Sequence, residues 1–319
     1  MDTLNPVISL STSFLQRRFP KDGYAMLCRA AELGFEYVEL GHSVPITSVE
    51  GILRALKEGV VKVSSLHNFC PVPPFASGAC PNLFSPSTKS DMESQQWLRH
   101  TRNSVEFAKQ TGARALVTHC GSLSYFLFRP DAALEKIIAE NKTSKLAELP
   151  EYDAAKKAFL KKSAARAEKK DYKFLLENLA KIEPNLEEAG IVLGLENREG
   201  AAELPLDWTF KSLFEKIGDR PRIKVWHDIG HSRIKQLRGL FRQRDLIEQT
   251  YPNIVGWHIH DCTDDCSDHI ALGLGGINFA EFAKYFDPQK HIFTLELNSK
   301  VRSADAADSL KRFRDILAK

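Results

Sequence analysis

The chain has 319 residues, 43% of them hydrophobic and 27% charged, which is enough for one large α/β domain or two ordinary ones. Its formal net charge of +3 gives no general attraction to nucleic acid or anionic lipid. No apolar run reaches the ~18 residues that a membrane-spanning helix requires, and the first residues lack the pattern of a secretory signal. Six cysteines are too few for a disulfide scaffold, so we expect a cytoplasmic protein with free thiols.

Short runs of β-branched or apolar residues recur along the chain and alternate with segments of helical spacing. The runs predict strands at residues 6–12, 36–42, 60–69, 113–122, 190–199, 222–231, 253–261 and 291–298. The segments between them predict helices at residues 21–34, 46–59, 90–112, 172–190, 206–218, 244–252, 278–286 and 303–318. Two of these helices end at Gly34 and Gly59, where a left-handed cap favours glycine.

This alternation predicts an α/β fold with parallel strands joined by right-handed crossovers. Eight such units favour a closed (β/α)8 TIM barrel, a single domain over residues 1–319, above an open doubly wound sheet. One segment breaks the rhythm, because residues at about 124–180 are too many for an ordinary link between strands 4 and 5. Their Ala, Lys and Glu content predicts a helical insertion, either a lid, a subunit contact or a solvated excursion, so homo-oligomerisation stays open.

Acidic and imidazole side chains stand near the ends of four consecutive predicted strands. They are Glu196, Asp228, His258 and Glu296. In a barrel, alternate side chains point inward and active sites occupy the carboxyl-terminal rim, so the four side chains can converge. Three crowded carboxylates raise one another's pKa unless a cation neutralises them, and an imidazole among them suits one divalent Mn, Co, Fe or Zn ion. Any one of the four alone would be interpreted as a hydrogen-bonded rim residue.

More imidazoles follow the same strands and form a second tier of candidates for metal or substrate contact. They are His67, His119, His231, His260 and His269. Each could instead orient a ligand through a hydrogen bond. Glu39, at the end of the second strand, is predicted to give such a supporting hydrogen bond. His227 has the opposite parity to Asp228 and is predicted to pack outside the barrel.

The motifs that carry these residues resemble those of the xylose isomerase-like TIM-barrel superfamily. In chain order they are SSLHNF, VTHCGS, GLENRE, HDIGH, HIHD, DHIALGLG and LEL. The superfamily contains sugar isomerases and epimerases and, as a distant branch, endonuclease IV. The resemblance covers nearly all of the chain outside the insertion, and its motifs are more specific for the superfamily than for any one branch.

The resemblance to ketose 3-epimerases implies one metal ion held by residues that match Glu196, Asp228, His258 and Glu296. The two glutamates then exchange a proton α to a carbonyl, while the metal stabilises the enediolate. This branch implies that His231 contacts the substrate. We therefore expect a metal-dependent isomerase or epimerase of a small-molecule sugar or sugar derivative. Further substrate-binding candidates are Arg198, His67, His119, His269 and His260.

The endonuclease IV branch implies a different function, a multi-zinc phosphodiesterase acting on abasic DNA. Its ligands to as many as three zinc ions match His67, His119, Glu196, Asp228, His231, His258, His269 and Glu296. This chain departs from that pattern at Ser267, where the nuclease has an aspartate. Its residues 68–85 also contain no basic residue to follow a DNA backbone, which makes nucleic acid a disfavoured partner. A non-catalytic metal-binding barrel is the remaining alternative.

Overall fold

The computed structural model describes residues 6–76, 78–123, 125, 129–141 and 146–318. Eight parallel strands close into a barrel in the chain order β1 to β8, and β8 pairs back with β1. The strands span Val7–Ser11, Tyr37–Leu40, Lys62–His67, Ala115–Thr118, Val192–Glu196, Ile223–Asp228, Ile254–Ile259 and Ile292–Leu295. The predicted (β/α)8 TIM barrel is confirmed.

Helices surround the barrel and occupy most of the crossovers between strands. The α-helices, labelled α1 to α11, span Ser13–Gln16, Gly23–Glu32, Val49–Lys57, Asp91–Thr111, Pro130–Glu140, Pro150–Arg166, Tyr172–Ala189, Phe210–Ile217, Ile229–Leu237, Gln243–Thr250 and Ser303–Leu317. A π-helical turn, Ala167–Asp171, joins α6 to α7. None of the helices in the described residues is both long enough and apolar enough to cross a membrane.

Several predicted elements differ from the observed ones. Every strand is shorter than predicted, and β4, for example, ends at Thr118 instead of residue 122. Residues 278–286 were predicted to form a helix, but they form two 3₁₀ turns, Phe279–Glu281 and Ala283–Tyr285. The reason is the spacing of Phe279, Phe282 and Tyr285, which repeats every three residues and buries all three rings when there are three residues per turn.

The sixth strand is also shorter than predicted, because it ends at Asp228 and α9 begins at Ile229. The Asp228 carboxylate accepts a hydrogen bond from the backbone N–H of His231 at 2.7 Å, which caps the helix. The helix start therefore fixes the side chain of Asp228 at the rim.

The insertion between β4 and β5 packs against the rest of the chain instead of projecting into solvent. Leu134 of α5 and Tyr152 and Phe159 of α6 are buried in a small apolar cluster with Ala201 and Leu240. These two partners follow β5 and α9, so the interpretation as a solvated excursion is wrong. Parts of the predicted insertion lie outside the described residues, namely 124, 126–128 and 142–145.

The barrel interior is filled below the rim by the ring of Trp226. Gly194 of β5 and Gly256 of β7 flank this ring, and a Cβ atom added at Gly256 would lie 2.2 Å from Trp226 Cζ3. The ring is fully buried and lies 5.3 Å, between centroids, from the imidazole of His258. The indole therefore fills the barrel interior directly below the residues at the carboxyl-terminal rim.

We expect Gly256→Ala to destabilise the protein by about 1–3 kcal/mol, because the added methyl group overpacks the barrel interior against Trp226. The free energy of unfolding from denaturant titration measures this. Gly78→Ala is the control, since a Cβ atom there meets nothing within 4 Å. Equal stability of the two variants would contradict the packing described for Trp226.

Candidate metal centre

Four side chains from consecutive strands meet at the carboxyl-terminal mouth of the barrel. Glu196 and Asp228 are the last residues of β5 and β6, His258 lies in β7, and Glu296 follows β8 directly. One candidate ligand atom from each lies within 4.8 Å of the others, and all four side chains are buried. The geometry therefore brings together the residues whose convergence the sequence predicted.

The Nδ1 atom of His258 is the point on which the carboxylates converge. It lies 3.1 Å from Glu196 Oε1, 3.1 Å from Glu296 Oε2 and 3.6 Å from Asp228 Oδ2. Three carboxylates and one imidazole nitrogen directed at a common point form a donor set that fits a divalent transition ion. We call these four residues the primary cluster.

The Nε2 atom of His258, on the far side of the ring from the primary cluster, is held by a hydrogen bond. Its Nε2–H donates to Glu39 Oε1 at 3.2 Å, and Glu39 Oε2 accepts a hydrogen bond from the Ser65 hydroxyl at 2.8 Å. A proton on Nε2 leaves the lone pair of Nδ1 free to bind a cation, as carboxylate–histidine pairs do behind metal ions. The supporting hydrogen bond predicted for Glu39 is present.

The charged groups in and around the primary cluster shift one another's pKa values strongly. Burial by itself would raise the pKa of Glu196, but the charge of Arg198 holds it well below its usual value. Burial would lower the pKa of His258, whereas Glu296 and Glu39 raise it well above the usual value. The carboxylates are therefore ionised at neutral pH, and a cation at the cluster has to displace a proton from His258.

A second group of potential ligands shares Glu196 with the primary cluster. Glu196 Oε2 lies 3.2 Å from His67 Nε2 and 3.0 Å from His119 Nε2. The Nε2 atom of His119 is buried and makes no hydrogen bond of good geometry, while its Nδ1 lies 2.7 Å from Asn82 Oδ1. Burial and the charge of Arg198 lower the pKa of His119 well below its usual value, which keeps the imidazole neutral and able to bind a cation.

A third group surrounds Asp228 on its other side. His231 Nδ1 lies 3.2 Å from Asp228 Oδ2, and His260 Nε2 lies 3.0 Å from Asp228 Oδ1. His260 Nδ1 accepts a hydrogen bond from the backbone N–H of His269, so the His260 proton is on Nε2 and is donated to Asp228. His260 therefore orients Asp228. The other two imidazoles of the group have acidic neighbours of their own, since His231 Nε2 lies 3.4 Å from Glu199 Oε2 and His269 Nε2 lies 3.5 Å from Glu296 Oε2.

The positively charged guanidinium of Arg198 lies between the primary cluster and the group around Asp228. Arg198 Nη1 is 3.4 Å from Glu196 Oε1 and 3.3 Å from His231 Nδ1, and Arg198 Nη2 is 2.8 Å from Glu199 Oε2. The guanidinium opposes a further cation bound at His231 and supplies donors to an oxygen-rich substrate.

Some neighbours of the site were not found by sequence reasoning. Asn82 lies in a loop and carries no spacing signal that links it to His119. The imidazole of His42 packs against that of His67 with centroids 4.7 Å apart, and its position at the end of β2 was the signal available for it. His227 lies outside the barrel, as predicted, with its ring 4.9 Å from that of Trp257.

Comparisons with known proteins agree with this architecture. The family model described as xylose isomerase-like TIM barrel matches residues 27–316. An uncharacterised protein of Methanocaldococcus jannaschii is 29% identical over 137 residues, which cover 41% of this chain and about half, 51%, of that protein.

Two solved structures have the same fold. The 3-keto-D-glucoside 4-epimerase of E. coli has a TM-score of 0.64 and 14% identity, over 97% of this chain and 99% of that chain. The AP endonuclease, family 2, of Brucella melitensis has a TM-score of 0.62 and 15% identity, over 97% and 98%. At these identities the two likenesses establish the fold alone.

We expect Zn²⁺, Mn²⁺ or Co²⁺ to stabilise the folded chain, because the primary cluster exists only when the barrel is closed. An ion at 100 times its dissociation constant raises the free energy of unfolding by about 2.7 kcal/mol. Denaturation of chelator-treated protein, with and without added ion, measures this. In Asp228→Asn the gain should fall sharply, although asparagine still caps α9.

Glu177→Gln, on the exposed surface of α7, is the control for this experiment and should keep the full gain. If Asp228→Asn and Glu177→Gln were stabilised equally, the ion would bind elsewhere.

Proposed function

Because the chain belongs to the xylose isomerase-like TIM-barrel family, we propose that it is a metal-dependent isomerase or epimerase of a sugar or sugar derivative. Enzymes with this fold include sugar epimerases and an AP endonuclease, so the choice between them rests on the chemistry of the site.

The observation that carries the proposal is the placement of two glutamates around one nitrogen. Glu196 and Glu296 come from β5 and β8, and each has an oxygen 3.1 Å from His258 Nδ1. A sugar bound beside an ion at that point would have the reacting carbon between two carboxylates, one to remove the proton α to a carbonyl and one to return it. A bound divalent cation would supply positive charge beside the oxygens of the enediolate.

The neighbouring residues support this chemistry. Asp228 and His258 complete the donor set, and the hydrogen bonds from His260 and to Glu39 keep both side chains in position. His231 Nδ1 and Arg198 Nη1 lie 3.5 and 3.4 Å from Glu196 Oε1, a position that suits contacts with the hydroxyl or carbonyl oxygens of a sugar bound at Glu196. All four side chains of the primary cluster are buried, so a substrate bound there would exclude water from the two carboxylates.

A second candidate function, a multi-zinc phosphodiesterase, is favoured by one specific feature. The Oε2 atom of Glu196 faces His67 and His119, a donor set suited to a second cation. Against this function, Arg198 lies 3.3 Å from His231 Nδ1 and opposes a third cation there. The absence of basic residues from 68–85 gives DNA phosphates no cationic side chain on that loop.

We expect Glu296→Gln to reduce the exchange of solvent deuterium into ketoses by about 10²–10⁴-fold, because an amide cannot transfer the proton. Mass spectrometry of the sugar measures exchange, and metal content is measured in the same samples to separate loss of chemistry from loss of the ion. Glu281→Gln, on the exposed surface, is the matched control. Exchange within twofold of wild type in metal-loaded Glu296→Gln protein would remove Glu296 from the proton transfer.

Metal counting separates the candidate functions. For the isomerase we expect full exchange activity at one exchangeable ion per chain, and we expect His67→Ala to leave an ion at the primary cluster. Native mass spectrometry with elemental analysis gives the count. Three tightly held zinc ions, together with salt-dependent binding of abasic DNA, would favour the nuclease. An occupied site that exchanges deuterium into none of the ketoses tested would favour the non-catalytic barrel.

A further inference from the structure

A cavity of about 860 Å³ opens beside the primary cluster and extends away from it. Glu296 and His269 line it on one side, and residues that follow β1 and β2 line it on the other. Since β1 pairs with β8, the loop after β1 lies next to Glu296 at the same rim of the barrel. A substrate that reaches the cluster therefore has room for a distal end against this loop.

The loop after β1 is anchored so that its basic residues are presented to the cavity. Arg18 Nη2 donates to the carbonyl oxygens of Ser299 and Val301 at 3.2 and 2.9 Å, which ties the loop to the segment after β8. Arg17 and Lys21 line the cavity. Within the described part of the chain, neither of these two side chains has an ion-pair or hydrogen-bond partner.

The charge of the cavity is positive away from the cluster. Glu296 is the sole acidic residue among the described residues that line it, and Glu296 already belongs to the primary cluster. The cationic groups of Arg17 and Lys21 are therefore not neutralised by an acidic residue on the cavity wall, and they attract an anion into it.

Polar atoms without partners lie on the same wall. The Oε1 atom of Gln16, the Nδ1 atom of His42 and the hydroxyl of Ser43 are buried and make no hydrogen bond to described residues, and all three residues line the cavity. Buried polar atoms are normally paired, so three unpaired ones on one wall indicate a ligand with hydroxyl groups.

We propose that this cavity binds the anionic end of the substrate, a phosphate or carboxylate on a sugar, and that Arg17 and Lys21 select for that charge. The proposal rests on the proposed function, since it names the substrate class of the same site. Gln16 and Ser43 meet hydroxyl groups between the anion and the reacting carbon, while the guanidinium of Arg17 contacts two anion oxygens at once.

Binding to the metal-loaded full chain tests this with three probes of one carbon skeleton: D-fructose, D-fructose 6-phosphate and D-fructuronate. We expect both anions to bind more tightly than D-fructose, and the tighter of the two identifies the anion as phosphate or carboxylate. Replacing Arg17 and Lys21 together by Gln should weaken the preferred anion about tenfold at low salt and leave D-fructose within twofold. Lys311→Gln, an exposed lysine on α11, should change neither.

Affinity, measured by calorimetry, and deuterium exchange are two separate readouts, so the anion site and the isomerase function can each be contradicted without the other. If the anionic sugars bind more tightly than D-fructose and this preference depends on Arg17 and Lys21, but no deuterium is exchanged, only the isomerase function is overturned. Equal binding of the neutral and anionic sugars, no binding of any of them, or an equal loss for all three in the double variant would overturn the anion site. Abasic DNA bound more tightly than either sugar anion would also overturn it.

Discussion

The mutual repulsion of three buried carboxylates is the constraint on which the site depends. Glu196, Asp228 and Glu296 would raise one another's pKa if they stood alone in the barrel mouth. The imidazole of His258 and the guanidinium of Arg198 instead hold the carboxylates ionised. A site of this kind is stable only with positive charge at its centre, and a divalent cation would supply that charge where His258 otherwise carries a proton.

The barrel makes this arrangement rigid. Trp226 fills the interior directly below His258, so the imidazole has no space to move toward the barrel core. Asp228 is the N-cap of α9, which ties its carboxylate to the backbone of His231. Glu39, from the opposite side of the barrel, fixes the ring of His258 through Nε2. Asp228 and His258 are thus each held by a partner that comes from a different element.

Glu196 belongs to two groups of potential metal ligands at once. One of its oxygens faces His258, and the other faces His67 and His119. The position of this carboxylate would therefore suit either a single-ion site for proton transfer or a two-ion site for phosphodiester cleavage. The charge of Arg198 and the basic wall of the neighbouring cavity favour a small anionic substrate over a third ion.

The sequence by itself determined the barrel and the residues at its mouth. Strictly alternating strands and helices leave few topologies, and closure brings the carboxyl ends of consecutive strands to one rim, so strand parity was enough to group Glu196, Asp228 and His258. Only the tertiary structure decided how those groups are used. The hydrogen bond between Glu39 and His258 joins residues 219 positions apart, and the division of the Glu196 oxygens depends on side-chain rotamers. The cavity at Arg17 was likewise not predictable, because loop positions are set by packing between segments distant in the chain, which local pattern does not encode.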